Sequence, residues 1–480
     1  MTIADLNLAV AMPEIFLLTM ACIILLVDAF LPKHLQHLSY QLTQGTLIGT
    51  ALLILATSPT GRVLAMDGLF VNDQMGTALK FFIVLIGFFA FIYSRDYLRD
   101  RNFLKSEYFV LGLFAILGMM VMISAHNLLM IYLGLELMSL SLYAMIAMHR
   151  DSQQASEAAM KYFFLGALAS GMLLYGMSML YGVTGTLDLA TLSQAITEVP
   201  KDQNIFLVFG LVFIVVGVAF KLGAVPFHMW IPDVYQGSPT AVTMFIASAP
   251  KIAAFAMMMR LLVDGMENLH TDWQDMLILL SILSMATGNI IAIAQKNIKR
   301  MLAYSTIAHV GYLLLGIIAG TAKGYAASMF YVLVYSLMTL GSFGMIVLLS
   351  RTGLEAENID DFKGLNDRSP WYAFLMLILM LSMAGVPPMV GFWAKWSVLS
   401  ELVNSGMVWL AVVAVLFAII GAFYYLRVIW VMYFQEAEDS TPITARMDMR
   451  VALSANALLI LVLGLMPQTL VAVCLEAFGL

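Results

Sequence analysis

Four ionisable residues lie inside long apolar stretches of the sequence, where a charge is costly. Lys221, Lys251 and Lys395 carry amines, and Glu136 carries a carboxylate. A charged side chain at the centre of a bilayer costs about 2.5 to 3.5 kcal/mol on insertion scales, so such residues usually face a protein interior and handle ions or protons. These residue types in this setting indicate proton or ion conduction.

The composition places the whole chain in a membrane. Of its 480 residues, 62% are hydrophobic and only 11% are charged. Apolar segments of about 17 to 25 residues, the length that a helix needs to cross the hydrocarbon, recur from end to end. We therefore predict an all-α polytopic membrane protein, a single transmembrane domain over 1–480 with about fourteen helices. The predicted centres are Leu18, Ile48, Val84, Leu117, Leu137, Leu173, Val212, Ala253, Ser284, Leu314, Leu333, Leu379, Phe417 and Ile460.

The basic residues predict the orientation. Fourteen of the 24 Lys and Arg residues fall in alternate loops: Lys33, Arg95, Arg99, Arg101, Lys105, Arg150, Lys296, Lys299, Arg300, Arg351, Lys363, Arg368, Arg446 and Arg450. The opposite loops hold only Arg62, Lys201 and Lys323. Because Lys and Arg accumulate in cytoplasmic loops, the first set is predicted to be cytoplasmic and both termini outside. No basic face extends beyond these short loops, so the sequence does not predict nucleic-acid binding.

Glu136 is the single acidic residue of its predicted helix. Its proton affinity depends on whether a cation lies nearby. Lys161, on the next predicted helix, is the nearest candidate partner in sequence. The alternatives are a static ion pair and, for Lys161, an extended side chain that reaches the cytoplasmic edge of the membrane.

Lys221 precedes a segment that should break its helix. Pro226 and Pro232 remove backbone donors, and Gly223 lowers the cost of an irregular turn. Broken helices at membrane depth line polar cavities, where transporters place ion sites. A buried lysine in such a cavity could exchange a proton.

A second segment with Gly, Val and Pro suggests an internal repeat. Pro387 and Pro388 follow Gly385 and Val386, and Lys395 lies eight residues after Pro387. The two segments fall in the seventh and twelfth predicted spans, and this odd offset would turn one copy upside down relative to the other. Inverted repeats of this kind are common in transporters.

Three further residues could relay protons. Lys251 follows Pro250, which kinks a helix and makes room for water. His228 and His309 carry imidazoles that titrate near neutrality, although a single buried histidine is often only a core residue.

The sequence predicts no cofactor or metal in this chain. Cys22 and Cys474, the only cysteines, are too few for a zinc or iron–sulfur site. A phosphate-binding glycine loop and a nucleophile elbow are also lacking, so redox energy should come from another polypeptide.

Two long motifs resemble a known superfamily. The run LGAVPFHMWIPDVYQGSPT from Leu222 to Thr240 and the run NIKRMLAYSTIAHVGY from Asn297 to Tyr312 are similar to those of the antiporter-like subunits of respiratory complex I and the Mrp-type cation/proton antiporters. The similarity extends over about 70–432. Lys395 in the twelfth span, the short chain after Gln435, and the motif GLELMSL at 134–140 favour the N-type branch over the M-type and L-type branches.

The resemblance implies a fold and a set of roles. It implies three helices in 1–100, one repeat of five helices in 105–265, an inverted repeat in 275–435 and a last helix in 450–480. Each repeat would contain one broken helix. The implied proton-transfer residues are Glu136 and Lys221 as a coupled pair, Lys251 as the connecting lysine, Lys395 as the terminal exchange group, and Lys161, His228 and His309 as auxiliary relays.

The resemblance also implies partners and a location. Other membrane-arm subunits of complex I would surround the chain in a bacterial cytoplasmic membrane, and NADH, FMN, iron–sulfur clusters and quinone would bind to partner subunits. The alternatives are a stand-alone or Mrp-like cation/proton antiporter, and a purely structural role in which the buried charges are fixed packing pairs.

Overall fold

The computed structural model of the chain describes residues 6–31, 37–101, 104–200, 204–350, 354–437, 443 and 445–480. Lys33, Lys201 and Arg351, three of the basic residues used to predict the orientation, lie outside these ranges. The described residues are mostly helical, since a helix satisfies its own backbone groups where no water is available. The predicted all-α polytopic class is confirmed.

Nineteen α-helices lie within the described part of the chain. The first ten are α1 (Met12–Phe30), α2 (His37–Ala56), α3 (Gln74–Asp100), α4 (Ser106–Ser124), α5 (Leu128–Ala147), α6 (Gln153–Thr184), α7 (Leu189–Glu198), α8 (Asn204–Leu222), α9 (Trp230–Gly237) and α10 (Thr240–Met258). The others are α11 (His270–Ile293), α12 (Ile298–Ile318), α13 (Ala322–Leu349), α14 (Leu365–Arg368), α15 (Pro370–Ala384), α16 (Val390–Asn404), α17 (Val408–Phe434), α18 (Met447–Leu465) and α19 (Gln468–Glu476). A short antiparallel hairpin joins β1 (Val63–Ala65) and β2 (Phe70–Asn72).

Polar residues fix several helix starts. Asn127, Ser152, Asp188, Asn297 and Thr321 each precede a helix and accept a hydrogen bond from a backbone N–H of its first turn. Such a side chain satisfies one of the amide groups that a helix leaves unpaired at its start. These caps therefore set where α5, α6, α7, α12 and α13 begin.

Thirteen helices among the described residues are long and apolar enough to cross a membrane. Each of the fourteen predicted centres falls within a helix, but α15, with 15 residues, is too short to count as a full span. It ends before Pro387 and Pro388, and α16 begins directly after them. The count of about fourteen spans stays a prediction.

The contacts divide the chain into two compact units. The first unit comprises residues 1–88, 105–222 and 249–276, and the second comprises 89–104, 223–248 and 277–480. The inverted repeats over 105–265 and 275–435 stay predictions. The predicted last helix, 450–480, contains α18 from its fourth residue onward and the shorter α19.

Within the first unit, α4 and α5 pack with their backbones in contact. A Cβ atom at Gly118 would lie 2.4 Å from the backbone N of Met138, and one at Gly134 would lie 2.7 Å from the backbone N of Met122. Only glycine permits so close an approach, as at the small-residue crossings of membrane helices. Glu136, two residues after Gly134, therefore projects from the side of α5 away from this crossing.

Candidate proton-transfer sites

In the first unit, Glu136 and Lys221 each bond to a serine hydroxyl. Glu136 on α5 accepts a hydrogen bond from the hydroxyl of Ser170 on α6. Lys221, buried near the end of α8, donates from Nζ to Oγ of Ser139 at 2.8 Å. Ser139 lies one helical turn after Glu136, and the charges of Glu136 and Lys221 act on each other. The two members of the predicted pair therefore lie close enough for their charges to interact.

Lys251 reaches the same helix end as Lys221. Its Nζ donates to the carbonyl oxygen of Leu222 at 2.7 Å, and Leu222 is the last residue of α8. The side chain is buried on α10, next to Pro250, which lies inside that helix. The Lys251 amine thus lies at the carboxyl end of α8, where the unpaired carbonyls and the helix dipole favour positive charge.

Lys161 has a different environment. On α6 it forms an ion pair with Glu157, one turn away, at 2.8 Å, and the two side chains are 43% and 60% exposed. The hydroxyl of Ser170 donates a hydrogen bond to Glu136. An exposed pair at this spacing contributes about 0.3 to 0.5 kcal/mol at most. Its setting is that of a helix surface and not of a buried relay.

In the second unit, Lys395 also binds a helix end. From α16 its Nζ donates to the carbonyl oxygens of Met383 at 3.2 Å and Ala384 at 2.8 Å, the last two residues of α15. The ammonium group also lies 5.2 Å from the ring centre of Tyr312. The prediction placed Lys395 beside a helix break, and its hydrogen bonds are made to that break.

The two broken helices end in the same way. Each ends before a glycine with a left-handed backbone, Gly223 with φ of 82° and Gly385 with φ of 84°. Each final carbonyl accepts a hydrogen bond from a lysine. A serine hydroxyl also accepts from a backbone N–H near each break, Ser284 from Val225 at 2.9 Å and Ser382 from Gly391 at 3.0 Å. Side chains thus satisfy backbone groups for which the bilayer offers no partner.

His309 lies inside a hydroxyl network of the second unit. Its Nδ1 is 2.7 Å from the hydroxyl oxygen of Tyr331, and its Nε2 is 3.0 Å from that of Tyr425. The Tyr425 hydroxyl in turn bonds to the Ser305 hydroxyl. The imidazole is buried, and the charge of Lys395 acts on it. An imidazole bonded through both nitrogens can take a proton on one side and release one on the other.

His228 lies in the segment between α8 and α9, with Pro226 two residues earlier. The histidine is half-buried, whereas Pro226, Pro387 and Pro388 are exposed. The prolines therefore lie on the surface of the chain at the breaks, and the lysines on the inside carry the polar contacts.

Changing Gly385 to alanine should displace Lys395. An added Cβ would lie 2.8 Å from Cδ of Lys395 and 3.2 Å from its Nζ, on a backbone that disfavours any side chain by about 1 to 3 kcal/mol. We expect the rate of proton uptake into membrane vesicles, driven by the chain's native energy source, to fall about threefold or more per assembled protein. Dye quenching in vesicles measures this rate.

Gly406 provides the matched control for this variant. Its φ of 82° is almost the same, but no atom lies within 4 Å of an added Cβ. Gly406→Ala carries the backbone strain without the contact with Lys395, so it should leave the rate unchanged. Equal losses in both variants would show that strain, and not the position of Lys395, explains the result.

A buried ion pair of the first unit was not predicted from the sequence. Lys80 on α3 and Glu14 on α1 lie 3.0 Å apart, with side chains only 2% and 7% exposed. Lys80 stands in an apolar run like the other buried lysines. The position of Lys80 in an apolar run could have predicted a buried charge, but the sequence could not identify Glu14 as the partner of Lys80.

A second cluster that was missed surrounds Arg260. Its guanidinium binds both carboxylate oxygens of Asp73, at 2.7 and 2.9 Å, and one of Asp264 at 3.0 Å, while its Nε donates to the carbonyl of Ile123 at 3.0 Å. Burial alone would raise the pKa of Asp73, but the Arg260 charge and hydrogen bonds lower it overall to about 2. Arg62 and His126 extend the cluster at Asp264.

Comparison with known proteins gives consistent results. The family model described as NADH:quinone oxidoreductase/Mrp antiporter, transmembrane, matches residues 125–421. The NADH-quinone oxidoreductase subunit N of Thiobacillus denitrificans is 58% identical over 479 residues, which are 100% of this chain and 99% of the relative. A chain in a structure of respiratory complex I from Thermus thermophilus is 31% identical with a TM-score of 0.83, over 96% of this chain and 98% of that one. A chain of the Mrp complex from Dietzia is 20% identical with a TM-score of 0.86, over 98% and 97%, and shares the fold.

Proposed function

This chain belongs to the NADH:quinone oxidoreductase/Mrp antiporter transmembrane family, and we propose that it is a proton-translocating membrane subunit of an NADH–quinone oxidoreductase. Partner subunits of the membrane arm and the attached redox arm oxidise NADH and reduce quinone with their own FMN and iron–sulfur clusters. This chain contributes no redox group. It lies in the bacterial cytoplasmic membrane with both termini outside, as the basic loops predict.

One observation carries the proposal: the three lysines of the site, two of them buried and Lys395 half-buried, donate to neutral oxygens. Lys221 donates to a hydroxyl, and Lys251 and Lys395 donate to backbone carbonyls. A carboxylate in contact with a lysine stabilises the charged form of the amine, so the amine keeps its proton. A neutral acceptor stabilises the charged form less, so the amine releases its proton more easily. Buried amines with such partners are suited to release and regain protons.

Two other buried cations of the chain differ from the lysines of the site, because they form ion pairs. Lys80 and Arg260 are buried as well, but both contact carboxylates directly. These two residues meet the expectation for fixed structural pairs. The purely structural reading therefore fits Lys80 and Arg260.

The contacts suggest how a charge acts on Lys221. Moving a charge next to Glu136 changes the electrostatic energy of the Lys221 ammonium, because opposite charges in a low-dielectric interior interact by several kcal/mol. Ser139 holds the Lys221 amine and lies one helical turn from Glu136, while its own hydroxyl donates to the carbonyl oxygen of Leu135. Lys251, at the same helix end, is the next proton acceptor in the first unit.

Within the second unit, we propose that His309 serves Lys395 through its two tyrosines. Tyr331 and Tyr425 hold both ring nitrogens, so a proton can enter at one phenol and leave at the other. Lys395 exchanges the proton with the outer side as the terminal group.

The first test is to purify the chain through an added tag from native membranes in mild detergent. Co-purification of a large assembly that transfers electrons from NADH to quinone is the expected result. A small species without this activity, reproducible in several detergents, would overturn the proposal. Rescue of a sodium-sensitive host by this chain alone, without NADH, would support the stand-alone antiporter alternative, which rests on the fold shared with the Mrp complex.

Glu136→Ala should lower NADH-driven proton pumping about threefold to fivefold, since Lys221 would lose the charge that acts on it. Oxidation of NADH with an artificial acceptor should stay unchanged, because the redox arm does not depend on this residue. Glu198→Ala, at an exposed carboxylate that ends α7, is the control and should have no effect. Full pumping by the Glu136 variant would remove Glu136 from the proton pathway.

A further inference from the structure

A groove of about 470 Å³ lies on the surface of the first unit, and its lining does not include Lys221 or Lys251. It is bounded by α1, α4 and α5, and its volume is in the range of small-molecule sites. The backbones of α4 and α5 touch at Gly118 and Gly134. The groove lies beyond that crossing, toward the first residues of α4 and the last residues of α5.

The groove has a cationic rim at the end of its helices. Lys105 directly precedes α4, and Arg150 follows the last residue of α5 by three positions. Both line the groove and are exposed, and within the described part of the chain neither forms an ion pair. Because α4 and α5 are membrane spans, their ends mark the boundary between hydrocarbon and water. The two cations therefore lie at headgroup depth.

The walls of the groove are apolar. They comprise Leu25 of α1, Val110 and Phe114 of α4, and Ala147 with Met148 at the end of α5. Ala147 is exposed, and its small side chain leaves a trough beside the larger ones. Glu107 is the one acidic side chain of the lining, so the charged groups of the groove sum to one positive charge.

We propose that this groove binds one anionic phospholipid. Its phosphate lies between Lys105 and Arg150, and an acyl chain runs along the wall formed by Leu25, Val110 and Phe114. An arginine can hold two phosphate oxygens and a lysine adds a point charge, which together suit a phosphodiester at the membrane surface. Basic pockets between membrane helices bind anionic headgroups by the same chemistry. Glu107 disfavours additional negative charge and so limits the site to one lipid.

The test uses the assembled complex in vesicles with two photoreactive lipids. One is phosphatidylglycerol and the other is phosphatidylcholine, each with a diazirine in the same acyl chain. Irradiation followed by peptide mass spectrometry measures cross-linking to residues 110–114 and 144–148. We expect phosphatidylglycerol to cross-link there about tenfold more than phosphatidylcholine at equal concentration.

Variants separate the headgroup contact from the apolar wall. Lys105→Glu with Arg150→Glu should bring the ratio of the two lipids to about one, whereas Lys296→Glu, at an exposed lysine outside the groove, should leave it unchanged. Ala147→Trp keeps the cations but fills the trough, so cross-linking by both lipids should fall. This second variant keeps the test decisive if the charge-reversed chain does not assemble.

Three results would overturn the lipid site. The first is equal cross-linking by the two lipids in the unaltered complex. The second is an unchanged preference for phosphatidylglycerol in an assembled complex that carries Lys105→Glu and Arg150→Glu. The third is no cross-linking by either lipid because a neighbouring subunit covers the groove. None of these results bears on NADH-driven pumping, so the lipid site and the proposed function can fail separately.

Discussion

Replacing Lys395 by alanine is expected to lower NADH-driven proton pumping by at least about tenfold, the largest effect of any single change at the site. The variant removes the amine that bonds the carbonyls of Met383 and Ala384, together with the terminal proton carrier of the second unit. Vesicle pumping normalised to the amount of assembled complex gives the measurement. NADH oxidation with an artificial acceptor should remain intact.

Lys395→Arg separates the two roles of this side chain. Arginine can still donate to the carbonyls at the end of α15, but it does not give up its proton in proteins. We expect the arginine variant to assemble as the unaltered chain does and to pump as poorly as the alanine variant. Lys323→Ala, at an exposed lysine of α13, is the control for loss of charge. Normal pumping by Lys395→Arg would show that Lys395 only stabilises the helix end.

Arg260→Ala is expected to have the largest effect on stability. Arg260 is almost fully buried and binds Asp73 through two hydrogen bonds and Asp264 through a third. Removing one partner of a buried charge pair costs about 3 to 5 kcal/mol, because the remaining charges lose their partner. We expect little or no assembled complex in membranes, measured on native gels against total chain.

Arg300→Ala is the matched control for this variant. Arg300 pairs with Asp233 at 2.9 Å, but the two side chains are 30% and 33% exposed, so water can replace the lost contact. A content of complex near that of the unaltered chain is expected. If Arg260→Ala assembled equally well, the Asp73 and Asp264 contacts would be dispensable and the cluster would not hold the fold together.

The sequence predicted the buried cations of the site but not their partners. Lys221, Lys251 and Lys395 stand out because a lone charge in an apolar run must be satisfied inside the protein. Their acceptors are a hydroxyl and backbone carbonyls on other helices, and such contacts depend on packing that no local pattern encodes. The partner of Lys161 is different, because Glu157 lies one helical turn away on the same helix and could be read from the sequence.

The contacts of two tyrosines with His309 were also not predicted from the sequence. Tyr331 and Tyr425 lie in apolar helices, where tyrosine is indistinguishable from packing material until its hydroxyl is placed. The fold class was easier to predict than the number of spans, because α15 and α16 divide one apolar stretch at Pro387 and Pro388. Proline position predicts where a helix stops, but not how far each half extends.

The direct contacts of His309 bear on which ions can pass. Its ring nitrogens lie at hydrogen-bond distance from the two phenols, so no gap for a hydrated sodium or potassium ion exists between these groups. A proton needs no such gap, since it moves by exchange of covalent and hydrogen bonds along the row. Along the proposed path through Tyr331, His309 and Tyr425, a hydrated alkali cation would have to break these two hydrogen bonds, whereas a proton would not.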